Sequence, residues 1–79
     1  MISVEELKRL IEDGIPGAHV EVTDEANDGE HFRAVVLSET FAGLGRLEQH
    51  QKVYAALGDA MQGRIHALAL KTGVVEKEG

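Results

Sequence analysis

At 79 residues, 43% hydrophobic but with only two Phe, one Tyr and no Trp, the chain supports one small domain with a core of Val, Leu, Ile and Ala, and leaves little material for a large enclosed substrate pocket. Eight basic residues against fourteen acidic ones give a net charge of -6, a field that repels phosphate backbones and anionic membranes and disfavours nucleic acid as a partner. The absence of Cys removes both a disulfide framework and an iron–sulfur cluster held by this chain alone. With no apolar stretch near ~20 residues and no basic-then-apolar leader, it makes the cytoplasm the expected location.

Ser3-Val-Glu-Glu6 has the form of a capping box, with Ile2 and Leu7 spaced as a hydrophobic staple. Val4, Leu7, Leu10 and Ile11 recur at helical spacing and Gly14 and Pro16 end the run, so a helix is expected over about residues 3–13. His19 to Thr23 alternates with period two, placing Val20 and Val22 on one face of a strand and His19, Glu21 and Thr23 on the other. Asp24 to Glu30 reads as an acidic hairpin loop around Asn27-Asp-Gly29, without the donor spacing of a calcium-binding loop. His31 to Glu39 is more continuously apolar and predicts a better-buried strand, antiparallel to the first.

Phe41 to Arg46 predicts a turn or short helix. Leu47, His50, Val53, Tyr54, Leu57, Ala60 and Met61 then share one face of a helix reaching to about Gln62, stopped by Gly63. Arg64 to Thr72 predicts a third strand, and residues 73–79 a frayed tail, leaving a core of about residues 3–72 in a single domain spanning 1–79. The order α-β-β-α-β defines an α+β fold: a three-stranded mixed sheet with helices packed on one face and a right-handed crossover joining the parallel second and third strands. KH-like domains share this order, but their Gly-x-x-Gly turn is absent, Gly43-Leu-Gly45 being one residue short.

Four histidines carry the candidate chemistry. His66 shares its strand face with Leu68 and Leu70, which fits either a core-edge imidazole satisfied by one backbone bond or a metal ligand held rigid at the start of a strand. His31, behind the acidic loop, is either a solvated strand-entry residue or a second ligand, provided the second and third strands are neighbours. Two imidazoles at neighbouring strand starts would leave the other coordination positions to thiolates from elsewhere. His50 is expected to point inward with the apolar stripe, and His19 to be solvated. No nucleophile elbow, P-loop or HExxH is present and no base lies beside Ser38 in sequence, so a non-enzymatic role is expected.

His31-Phe, Phe41-x-Gly, Leu47-x-x-His-Gln-x-Val-Tyr-x-x-Leu and Ile65-His-Ala-Leu-Ala-Leu, in that order over residues 4–72, resemble the BolA family. The short loop before His31 is similar to that of its IbaG (YrbA)-type bacterial members. The resemblance implies a class II KH-like (BolA-like) fold and association with a monothiol glutaredoxin, sharing a [2Fe-2S] cluster whose thiolates come from the glutaredoxin and glutathione. His66 and His31 would supply the remaining ligands. It further implies a role in iron–sulfur cluster trafficking or iron/redox sensing, with an apo monomer or weak homodimer when the chain is alone. Gln49-His50-Gln51 stands where many members have Arg-His-Arg, and no Trp follows Thr72. Both departures weaken the alternative role, a nucleic-acid-binding transcriptional regulator using Arg33, Arg46, Lys52, Arg64 or Lys71.

Overall fold

The computed structural model describes residues 2–29, 31–61 and 67–75. Helix α1 spans Val4–Gly14 and starts as its sequence dictates: the Ser3 hydroxyl accepts from the Glu6 N–H at 3.0 Å, and Ile2 and Leu7 are both buried in the staple arrangement. Its C-terminus closes with the Ile15 N–H donating to the Ile11 carbonyl at 2.9 Å. Gly14 is required by packing. A Cβ there would lie 2.3 Å from the Cβ of Ala56 on the second helix.

Strands β1 (His19–Asp24) and β2 (His31–Leu37) form an antiparallel hairpin with Val20 opposite Val36 and Asp24 opposite Phe32. The tip reverses through Asn27 (φ 54°) and Gly29 (φ 73°), and the Asp24 carboxylate accepts from the N–H groups of Asp28 (3.2 Å) and Gly29 (2.8 Å). β2 ends at Leu37 instead of continuing to Glu39. Ser38, 1% exposed, accepts from the Thr40 N–H at 3.1 Å and starts a 3₁₀ turn, Glu39–Phe41, that inserts Phe41 fully into the core.

Helix α2 spans Arg46–Leu57, not the longer segment to Gln62 expected from periodicity. Gly58 adopts φ 53° and breaks it into a 3₁₀ turn, Gly58–Met61; the expected stop at Gly63 lies outside the described residues. Its buried stripe is narrower than the one expected and centred to one side of it. Val53, Leu57 and Ala60 are buried and Ala56 meets α1, whereas Leu47 is 71% and Tyr54 40% exposed. At 100° per residue, Leu47 and Tyr54 lie roughly 110–130° round the helix from that stripe. The close approach of Ala56 to Gly14 brings the face with Val53 and Leu57 inward and leaves Leu47 and Tyr54 outside.

Strand β3, Ala67–Gly73, pairs in parallel with β2, from His31 opposite Ala67 to Leu37 opposite Gly73, in the order β1-β2-β3. The expected third strand is thus found from Ala67 onward; its first residues, 64–66, lie outside the described residues. Val20, Phe32, Ala34 and Val36 form the buried face, supported by the partly buried Leu68 and Leu70, with α1 against β1 and α2 against β3. The opposite face, which includes His19, Glu21, Thr23, His31, Arg33 and Lys71, is exposed. This is the α+β, mixed-sheet architecture expected from the element order.

Candidate metal-ligand site at the hairpin end of the sheet

The turn chemistry that closes the hairpin also positions His31. Because Asp24 holds the Asp28 and Gly29 amides, the Asp28 side chain turns back toward the first residue of β2. One of its oxygens accepts from the His31 backbone N–H at 3.1 Å and the other meets the ring Nδ1 at 2.8 Å. A carboxylate can only accept, so in the neutral ring Nδ1 carries the hydrogen and the lone pair sits on Nε2. Metal-ligating histidines are commonly held this way, with a carboxylate behind the ring fixing its tautomer and raising its basicity. The Glu25 N–H donating to the His31 carbonyl at 2.9 Å and the Arg33–Glu25 ion pair brace the same end. Sequence reasoning treated Asp28 only as a solvated loop residue. The available signal was an aspartate three residues before a histidine, across a turn ending in Gly29.

His66 lies outside the described residues. What the structure provides is the register: the backbone partner of His31 is Ala67, the residue that follows His66 in the chain. The alternation along β2 and β3 also constrains the pair. His31 follows the alternation of Arg33, on the exposed face, whereas Leu68 and Leu70, the residues expected to share a face with His66, pair with Phe32 and Ala34 on the core side. A joint site therefore requires the chain ahead of Ala67 to depart from strict strand alternation. Among the described residues no three His, Cys, Asp or Glu side chains converge to hold a metal ion. Among the described residues the donor set at this end is a single oriented imidazole.

The remaining candidates separate. His19 pairs with Glu21 at 3.5 Å on the exposed face. His50, expected to point into the apolar stripe, instead lines a cleft of about 300 Å³ between α2 and β3, with Arg46, Leu70, Lys71 and Thr72. Lys52 borders a different cleft of about 440 Å³, beside Gly14, Pro16 and Ala56. Arg33 is engaged by Glu25, and Arg64 lies outside the described residues. Among the described residues Lys71 borders one cleft with Arg33 and another with Arg46, whereas Lys52 lies at a third. No helix among the described residues is long and apolar enough to cross a membrane.

The family profile described as BolA-like protein matches residues 11–77. A solved BolA protein homologue from Coxiella burnetii is 44% identical and superposes with a TM-score of 0.81, over 94% of this chain and 92% of that one. An uncharacterized protein of Rickettsia prowazekii is 30% identical over 71 residues, 90% of this chain and 92% of its own length. The DNA-binding transcriptional regulator BolA of Escherichia coli is 32% identical over 65 residues, 73% of this chain and 62% of the regulator. Against the mammalian BolA-like protein 1 sequences it matches, the chain spans 30–34% of their length.

Proposed function

Because the chain belongs to the BolA-like family, we propose that it is a non-enzymatic cytoplasmic binding module that joins a monothiol glutaredoxin and completes a shared [2Fe-2S] cluster through His66 and His31, serving iron–sulfur cluster trafficking or iron/redox sensing. The observation that supports this reading is the Asp28–His31 pair, a ring held in one tautomer at the end of a sheet whose next strand begins one residue after His66. A chain without Cys needs a thiol-bearing partner to join such a centre, with the thiolates coming from the glutaredoxin and glutathione. When bound, the cluster supplies one-electron chemistry, at a potential raised where neutral imidazoles replace thiolates. Asp28 holds the ring orientation, and the braced hairpin limits the entropy lost when His31 is engaged. Alone, the protein is an apo monomer or weak homodimer.

Mixing the protein with cluster-loaded glutaredoxin and glutathione is expected to change the visible absorption and circular dichroism of the cluster. His66→Ala should abolish that change and His31→Ala should alter it. An unchanged spectrum with the wild-type protein rejects cluster sharing. A His31→Ala spectrum identical to wild type removes His31 from the ligand set.

The name of the Escherichia coli relative supports a second reading, nucleic-acid binding by a transcriptional regulator. Its electrostatics are poor: the net charge is -6 and Arg33 is already ion-paired. Gel shifts should weaken steeply with salt if phosphates are being neutralised. Absent or salt-insensitive binding rejects this reading.

A further inference from the structure

The hairpin tip joins two groups that can react with each other. Asp28 is followed by Gly29, and the side-chain carboxyl carbon of an aspartate can reach the amide nitrogen of the next residue. Glycine, without a Cβ, leaves that nitrogen open to attack. Asp28 is exposed, so water has access to the carboxyl group. In the folded hairpin both groups are engaged elsewhere. The Gly29 N–H donates across the loop to Asp24 Oδ2 at 2.8 Å. The Asp28 carboxylate is directed forward along the chain, Oδ1 accepting from the His31 N–H at 3.1 Å and Oδ2 meeting the ring Nδ1 at 2.8 Å. Asp24 also accepts from the Asp28 N–H at 3.2 Å, and as the rung partner of Phe32 it is anchored in the sheet. The reacting pair is therefore held apart by one residue of β1 and one of β2.

We infer that Asp28 is a site of spontaneous isoaspartate formation, held back by Asp24 and His31 while the hairpin tip stays closed. The reaction needs no co-reactant but water. From the carboxylic acid form of Asp28, a bond forms between the Gly29 nitrogen and Asp28 Cγ, the C–OH bond breaks, and one water leaves carrying the amide hydrogen. Water then adds to the resulting cyclic imide. Opening at Cγ restores aspartate, whereas opening at the main-chain carbonyl leaves the chain running through Cβ and Cγ. The product has the same mass and a main chain longer by one methylene. Its carboxylate sits on the main chain, so the Asp28–His31 contact that fixes the ring is lost. The rate is set by local opening of the tip, which frees the Gly29 amide and the Asp28 carboxyl group. This holds whether or not His31 is a ligand.

The test is to age the full chain in warm neutral buffer, digest it with trypsin, and separate the Leu10–Arg33 peptide from its isomer of equal mass, with fragmentation placing the isoaspartate at residue 28. Deamidation of Asn27 is told apart because it changes the mass. Folded wild type is expected to isomerise more slowly than the same chain in guanidinium chloride. D24A should speed the folded protein by about tenfold or more, the scale of losing charge-assisted hydrogen bonds. H31A should also speed it, and amide spectra of H31A that keep the β1 and β2 shifts separate release of the carboxyl group from loss of the fold. D28E, whose longer side chain closes the corresponding ring poorly, should give no isomer at that position. In the isomerised protein, the nitrogen shifts of the neutral His31 ring should lose their preference for hydrogen on Nδ1. A folded wild type that isomerises as fast as the unfolded chain, or D24A and H31A that both age at the wild-type rate, would overturn the proposal. A His31 ring that keeps its tautomer in the isomerised protein would overturn the stated consequence.

Discussion

The two helices obey different rules. α1 has a side-chain cap, a staple and a buried pair, Leu7 and Ile11, on the face its periodicity predicts. α2 starts at a glycine without a side-chain cap, exposes Leu47 and Tyr54, and buries only part of the stripe that its periodicity singles out, Val53 and Leu57. Local preference and tertiary demand agree in α1 and conflict in α2. Natural sequences concentrate such conflicts where a surface is kept for contact with something else. α1 is accordingly the helix that stabilises the domain, and α2 the one that presents side chains.

That contrast is open to experiment. Ile11→Ala removes a fully buried side chain and is expected to cost about 2–5 kcal/mol in denaturant unfolding, whereas Leu47→Ala, at a 71% exposed position of α2, should stay within about 0.5 kcal/mol. If the two costs were similar, the division between the helices would fail. Gly14→Ala forces a methyl into the crossing with Ala56 and should cost about 1–3 kcal/mol; Ala56→Gly in the same molecule should recover part of that loss, since the two sites are in contact. Ser3→Ala removes the α1 cap and should lower stability by about 1 kcal/mol. Gly45→Ser supplies α2 with the cap it lacks, and a gain of only a few tenths of a kcal/mol is expected by thermal unfolding. A gain as large as the Ser3→Ala loss would mean that α2, too, depends on its cap.

What could be read from the sequence follows the range of the interaction. Ser3 with Glu6, Ile2 with Leu7, and the Asn27-Asp-Gly29 reversal act over a few residues, and the sequence displays them openly. The element order, with the handedness rule for crossovers, was enough to make β2 and β3 parallel neighbours. The exposure of Leu47 and Tyr54 was hidden because the orientation of α2 depends on Ala56 fitting against Gly14 from 42 residues away, and periodicity cannot tell which part of a broad apolar stripe packing will bury. The end of β2 was misplaced for a similar reason. Ser38 continues the apolar pattern but uses its hydroxyl to start a 3₁₀ turn. At the candidate site His31 was legible as a residue of interest, but its ring orientation was not, because that depends on Asp28 being turned back by Asp24.

The parallel rung between His31 and Ala67 ties the hairpin end to β3. β3 is an edge strand, held by β2 on one side only, so its opening is a sub-global fluctuation that separates the two chain segments without unfolding the hairpin. Any ligand that needs both segments binds only the closed population, and its apparent affinity falls in proportion to the fraction open. Deuterium uptake at the β3 amides would measure that fraction directly. A cavity at Leu68 would shorten the time the strand stays docked.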